Sequence, residues 1–285
     1  MNTDKGSIEG PRLRIWKRIP LSRLRRFVML GIIVLFLLQF FRVKVLIGGL
    51  TGSLALWFVN LIDIFAFLEN LFSSKDLTFT AIISVLPVIG IYIITGRAFC
   101  GWVCPMDFLF EIVDRAKGLR LKAGQKKETG YVVAAILLII SALIGIPLFT
   151  NYLSHLTNFF RFLTGGVFLL LRLPVEKTVI IYSGGIIVLL LILEYLFPRL
   201  WCRVFCPTGK VYGLFNKVSL IRLKFLEGEC GECHYCEDLC YMSVKLTPYL
   251  DQKSLRDSNC IYCGRCVEAC NTKGRLIKIG FRRNR

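Results

Sequence analysis

Residues 97–105 read RAFCGWVCP, and residues 199–207 read RLWCRVFCP. Arg97, Cys100, Cys104 and Pro105 map onto Arg199, Cys202, Cys206 and Pro207 at one constant offset of 102 residues. An aromatic residue precedes the first cysteine both times, Phe99 and then Trp201. Self-similarity at a fixed period sets the architecture and has to be found first. The surroundings repeat as well: an apolar segment, a long half-apolar connection, a second apolar segment, then the motif. Crossing a bilayer takes roughly 20 apolar residues, and four stretches qualify: 27–47, 78–95, 131–149 and 178–197. In the first, Arg42 and Lys44 must snorkel outward if it spans. Pro87 and the pair Gly184-Gly185 are tolerable in such helices, where neighbouring helices satisfy freed backbone groups.

The expected fold is an α-helical membrane protein of four transmembrane helices, arranged as two parallel repeats (about 27–117 and about 131–219). A basic tail, 1–26, precedes them. Two spans per repeat is an even number, so the units share an axis along the membrane normal, and both motifs lie on one side. Composition agrees. The chain has 285 residues, 55% hydrophobic, with mean hydropathy +0.60 and formal charge +18. Its 22 Phe, 10 Tyr and 4 Trp exclude disorder, whose signature is low hydrophobicity. Positive charge concentrates in the tail (Arg12, Arg14, Lys17, Arg18, Arg23, Arg25, Arg26) and in the second connection, 106–130. By the positive-inside rule both termini and both motifs are cytoplasmic, in a multi-pass inner-membrane protein. A signal peptide would need a small-residue cleavage site, which is lacking, and Arg25-Arg26-Phe27 only loosely resembles a twin-arginine signal. An uncleaved first span explains the same residues.

The other two connections are mostly apolar. Residues 54–72 and 158–173 are broken by Asp63, Glu69, Arg161 and Arg172. They read as amphipathic or re-entrant segments at the outer interface, with simple interfacial packing as the plainer account.

Eight of the twelve cysteines form two tetrads. Cys230, Cys233, Cys236 and Cys240 are spaced C-x2-C-x2-C-x3-C, and Cys260, Cys263, Cys266 and Cys270 repeat it. This is the bacterial pattern for two [4Fe–4S] clusters, in which the fourth cysteine serves the other cluster. Cluster 1 then takes Cys230, Cys233, Cys236 and Cys270; cluster 2 takes Cys260, Cys263, Cys266 and Cys240. Zinc ribbons instead pair distant C-x2-C knuckles, and disulfides need an oxidising compartment. The proline that usually follows the fourth cysteine is replaced by Tyr241 and Asn271. Alternation in Ile221, Leu223, Phe225 and in Ile277, Ile279, Phe281 predicts two strands bracketing the cluster loops. Residues 220–285 are thus expected to form a small α+β, two-cluster ferredoxin-like domain on the cytoplasmic side.

The doubled C-x3-C-P motif admits several readings. A proline disfavours helix at the residue before it and favours the first helical position after it. Pro105 and Pro207 should therefore open amphipathic helices, with the thiols at helix N-termini where thiolate is favoured. If the repeat brings Cys100, Cys104, Cys202 and Cys206 together, they form a third Fe–S or metal site; redox-active thiols and buried structural cysteines are the alternatives. Iron and acid-labile sulfide per chain would separate these.

With only two histidines, His155 and His234, and no C-x-x-C-H, haem is not expected. A Gly-rich dinucleotide fingerprint is lacking too. His155 reads as an interfacial polar residue. Glu194, inside the fourth span, is either a functional charge or a snorkelling one.

Four spans, FCGWVCP, CRVFCP followed by Gly209 and Tyr212-Gly213, and then two tetrads resemble the NapH family of membrane ferredoxins. The resemblance runs from about Arg25 onward. It implies a quinol-dehydrogenase subunit of the inner membrane with cytoplasmic termini, serving periplasmic nitrate reductase systems. Partners implied are membrane quinol, the lipid bilayer and other redox subunits of soluble ferredoxin type or cytochrome c type. The resemblance supplies the quinol; the residues themselves supply a membrane-tethered electron relay. A maturation factor that reduces a metal or thiol for another enzyme is the alternative, with the C-x3-C-P cysteines as its working groups. A transporter would leave eight cluster cysteines unexplained. Each oxidised cluster with its four thiolates carries about −2, so two of them reduce the formal +18 to roughly +14. That charge is inside charge rather than a nucleic-acid patch.

Overall fold

The computed structural model describes residues 21–38, 47–48, 54–56, 59–75, 78–117, 129–226, 234–250, 252, 254–271 and 276–281. Helices dominate. α1 (Leu21–Leu38) leads to three short antiparallel strands, β1 (Ile47–Gly48), β2 (Leu54–Leu56) and β3 (Val59–Leu61), with Gly48 opposite Leu54 and Leu54 opposite Leu61. α2 (Ile64–Ser74), α3 (Phe79–Thr95), the short α4 (Ala98–Trp102) and α5 (Pro105–Lys117) follow. The order then recurs with variation: α6 (Thr129–Ile144), a π-helical turn at Phe149–Leu153, α7 (His155–Leu170), α8 (Lys177–Leu196), a π-helical turn at Trp201–Phe205, and α9 (Pro207–Phe215). The last part holds β4 (Ile221–Phe225), α10 (Tyr235–Asp238), a 3-10 turn at Thr247–Tyr249, α11 (Arg265–Asn271) and β5 (Ile277–Phe281).

α3 and α8 match the second and fourth expected spans to within a residue. The others need correction. α1 starts at Leu21, so Arg25 and Arg26, read as tail, stand in its second turn. The rest of the tail, and Arg42 and Lys44, lie outside the described residues. α6 ends at Ile144 rather than 149, because Gly145 turns left-handed (φ 75°), donates to Ser141 O at 2.9 Å, and is followed by Pro147. Among the described residues, α8 is the one helix long and apolar enough to cross a membrane. α1, α3 and α6, with 18, 17 and 16 residues, reach about 24–27 Å at 1.5 Å per residue, short of a roughly 30 Å hydrocarbon core.

Helices in the two apolar connections pack against the cysteine-motif segments. α2 is capped by Asp63, whose carboxylate accepts from Ala66 N at 3.3 Å and from the Tyr212 hydroxyl of α9. α7 is capped by Ser154, and its first residue, His155, puts Nε2 3.7 Å from Cys104 Sγ. Both helices therefore start beside the cysteine motifs and run away from them. Gly165 of α7 lets Ile180 of α8 approach, and Gly184 of α8 faces Phe162, so the two helices run antiparallel in close contact.

Glu69 fixes this arrangement. Its fully buried carboxylate accepts from Ser141 Oγ (2.7 Å), Phe149 N (2.6 Å), Thr150 N (2.8 Å) and Thr150 Oγ1 (2.5 Å), tying α2 to α6 and to the first π-turn. Replacing Glu69 by Ala leaves four buried donors without an acceptor. A stability loss of about 3–5 kcal/mol is expected, read as a lowered thermal midpoint in detergent.

β4 and β5 pair as expected, with Leu223 opposite Ile279 and Phe225 opposite Ile277. Leu223, Phe225 and Ile277 are buried with Met242, Val244, Leu246 and Leu255, and Ala98, Cys100 and Cys202 pack onto the same cluster. Arg222, on the face expected to be polar, is also buried; its guanidinium donates to Ser219 O (2.8 Å) and Lys217 O (2.9 Å).

Candidate metal centres

Cys240, Cys260, Cys263 and Cys266 line one cavity, with Leu223, Met242, Val244, Leu246, Leu255 and Ile261 making up most of its apolar wall. Three of these cysteines come from one tetrad and the fourth from the other, which is the crossed set read from the spacing. Burial pushes the Cys240 thiol up to about 12, with the neighbouring Cys263 second in effect. Such thiols lose their protons to a metal, which deprotonates a coordinating thiol outright. Of the other crossed set, Cys236 and Cys270 are described and pack on the same apolar cluster; Cys230 and Cys233 lie outside the described residues.

The C-x3-C-P cysteines also come together. The neighbours that raise the Cys104 thiol, after burial itself, are Cys100, Asp107 and Cys206. Burial likewise lifts Cys202 well above the usual thiol range and Cys206 to about 12. The helix-terminus effect is present, since Pro207 opens α9 and Gly209 N donates to Cys206 Sγ at 3.4 Å. Desolvation outweighs it. The helix terminus alone therefore does not make ready thiolates here: without a bound cation these are thiols, buried at Cys104 and Cys206 and half-buried at Cys100 and Cys202.

Arg97 gives the site its charge. It is 1% exposed, and its guanidinium donates to Cys202 O (2.7 Å) and Ser258 O (3.2 Å), leaving Nε without a partner. No carboxylate pairs with it among the described residues; the titratable groups beside it are the thiols of Cys100, Cys206 and Cys202, and Lys210 is a second cation close by. A buried guanidinium needs a compensating anion. Four cysteine thiolates around iron and sulfide carry net negative charge, so the donor set and the arginine fit an anionic cluster. Among the described residues no three Cys, His, Asp or Glu side chains gather closely enough for one ion. A cubane spreads its four thiolates over four irons and asks for a wider set.

Arg199, the counterpart of Arg97, behaves reciprocally. Arg97 of the first motif reaches Cys202 of the second, whereas Arg199 pairs with Asp107 and Asp114 (2.9 Å) of α5 and with Glu194 (3.4 Å). Glu194 is buried rather than snorkelling, and it also accepts from Arg199 N at 2.9 Å. Arg25 pairs with Asp107 and Glu111, and Glu111 also takes Arg26 and Arg265, each at 3.1 Å.

The first motif rests directly on the 260–264 loop. Trp102 Nε1 donates to Tyr262 O at 2.9 Å, and Gly101 faces Ile261. Asn216 bridges them: its Oδ1 accepts from Arg97 N (2.7 Å) and its Nδ2 donates to Cys260 O (2.8 Å) and Asp257 O (2.8 Å).

Sequence reading missed two further groups. His155, expected at an interface, is buried against Cys104 and Trp201, with Nδ1 lacking a partner. Asp63 and Tyr212 form a buried acid–phenol pair, and Tyr212 stacks on Tyr92 at 3.9 Å beside Phe99 and Cys100. An acid inside an apolar run was the available signal for Asp63; nothing in the sequence marked Asn216.

A family model described as 4Fe-4S binding domain matches residues 77–123 and 179–225. Each matched segment contains a C-x3-C-P motif and neither contains a tetrad; they are again offset by 102 residues. The chain is 30% identical over 248 residues to the methylamine utilization ferredoxin-type protein MauN of Methylorubrum extorquens, covering 84% of this chain and 79% of that one. It is 29% identical over 262 residues to the ferredoxin-type protein NapH of Haemophilus influenzae (87% and 86% covered). An uncharacterized protein of Methanocaldococcus jannaschii is 29% identical over 219 residues (73% and 75%). No solved structure matches the chain.

Proposed function

Because this chain belongs to the NapH and MauN family of ferredoxin-type proteins, whose work is iron–sulfur electron transfer, we propose that it oxidises membrane quinol and passes the electrons to a redox partner. The partner is of soluble ferredoxin type or cytochrome c type, such as a component of a periplasmic nitrate reductase pathway. Two [4Fe–4S] clusters are held by Cys230, Cys233, Cys236, Cys270 and by Cys240, Cys260, Cys263, Cys266, and a third Fe–S centre by Cys100, Cys104, Cys202, Cys206. When bound, such clusters supply one-electron steps, so a two-electron donor is oxidised in stages.

α1, α3, α6 and α8 form the inner-membrane base, in two parallel repeats with both termini cytoplasmic. Bare apolar faces support this: Phe79, Leu143 and Ile181 are 77%, 81% and 73% exposed, and contiguous exposed apolar surface wants lipid or a partner. Shorter helices are accommodated by local thinning of the bilayer.

The observation that carries the reading is the junction of the first motif with the 260–264 loop, made by Trp102, Asn216 and Arg97. It joins the membrane part to a tetrad without an intervening linker. Arg97 neutralises the motif cysteines, and the apolar walls exclude water. The Asp63 carboxylate and the Tyr212 hydroxyl offer a place to hold a proton that quinol oxidation releases. The maturation-factor reading needs exchangeable thiols at the motif, and the burial of Cys104 and Cys206 disfavours it.

Protein loaded with iron and sulfide in proteoliposomes tests the reading. A short-chain quinol analogue is expected to bleach the cluster absorbance; no change, with dithionite still effective, would remove quinol as the donor.

A further inference from the structure

Two-cluster ferredoxin sequences usually carry proline after the fourth cysteine of each tetrad; Tyr241 occupies that place after Cys240. Its ring is 5% exposed and lies beneath three guanidiniums, with Arg265 at 3.3 Å, Arg199 at 4.4 Å and Arg25 at 5.9 Å from its centroid. These arginines come from three places: α11, the turn after α8, and α1. All three are ion-paired to acids of α5. Among the described residues the tyrosine hydroxyl has no hydrogen-bond partner, so the ring makes the contact. Arg265 lies between Cys263 and Cys266, and Arg203 of the second motif lies near enough to feel Cys240.

We propose that Tyr241 is a positioning residue for electron transfer. Its ring, gripped by arginines from both parts of the protein, holds Cys240 and the 260–264 loop at a fixed spacing from the C-x3-C-P cysteines. Proline at this place would shape the turn after Cys240 and give the arginines no aromatic face. The departure from the usual pattern thus falls where the tetrad segment meets the membrane part. Small displacements matter here, since the rate of electron transfer falls steeply as the separation of the centres grows. The proposal rests on the relay reading above.

The test uses full-length protein, loaded with iron and sulfide in proteoliposomes, as Y241F, Y241L and Y241P. Three quantities are read: iron and sulfide content, the rate of bleaching by dithionite and by a quinol analogue, and amide hydrogen exchange of the 260–264 loop. Y241F should match the parent in all three, because the hydroxyl is idle. Y241L and Y241P should keep their iron and their dithionite rate, slow several-fold in quinol-driven rate, and exchange faster in the loop. Parent-like rates and protection in Y241L and Y241P would overturn the proposal, as would Y241F failing alongside them. Should Y241P not assemble, Y241L decides alone. If the quinol analogue fails to reduce the parent protein, the relay reading falls, and loop exchange in Y241L against Y241F still decides the positioning role.

Discussion

In Cys202→Ser protein, iron per chain is expected to fall from about twelve to about eight, with the signals of both tetrad clusters retained. Cys202 belongs to none of the tetrads, yet it stands among Cys100, Cys104 and Cys206 around a buried guanidinium that has no carboxylate partner among the described residues. Serine keeps the volume but is a poor iron ligand, so the loss isolates the motif site. The same substitution withdraws part of the anion that compensates Arg97. An uncompensated buried charge costs about 3–5 kcal/mol, so a lower thermal midpoint should accompany the lost iron. Replacing Arg97 as well, by Met, should recover part of that midpoint without recovering the iron. A parent protein holding only about eight iron atoms would sink the third centre. The motif cysteines would then be buried structural thiols, and the match of both motif segments to a 4Fe-4S family model would reflect ancestry alone.

What could be read from the sequence was local. The strands around the cluster loops and the prolines that open α5 and α9 are set by neighbours within a few residues, and they appear at the expected places. The stop of α6 was equally local: Gly145 and Pro147 are a helix terminator that overall apolarity hid. The placement of α2 and α7 was not local. It depends on Asp63 finding Tyr212 149 residues away and on Glu69 collecting donors 72 to 81 residues away. Arg25 was counted as inside charge, but it is consumed by Asp107 and Glu111, so part of the basic balance is internal pairing rather than surface potential.

Gly101→Ala should have the other large effect, and it separates assembly from transfer. A methyl group on Gly101 would lie 2.4 Å from the Ile261 carbonyl oxygen and 3.3 Å from its Cβ. The oxygen is backbone and cannot swing away, so α4 and the 260–264 loop must part. Gly213 sets the same limit at 2.3 Å from Ser258 O, so the contact cannot pivot about its other edge. Overpacking of this kind costs about 1–3 kcal/mol, occasionally more, and it stretches the bond from Trp102 Nε1 to Tyr262 O. The motif itself does not demand glycine, since Arg203 fills the equivalent place in the second motif; only the side that touches the loop does. Cys100 and the tetrad cysteines keep their own loops in this variant. Iron content and dithionite reduction are therefore expected to persist while quinol-driven bleaching slows several-fold. Gly31→Ala serves as the control, because its Cβ would meet nothing within 4 Å and alanine in a helix interior is favoured by up to about 1 kcal/mol. Equal quinol-driven rates in the two variants would mean that electrons do not cross between α4 and the 260–264 loop.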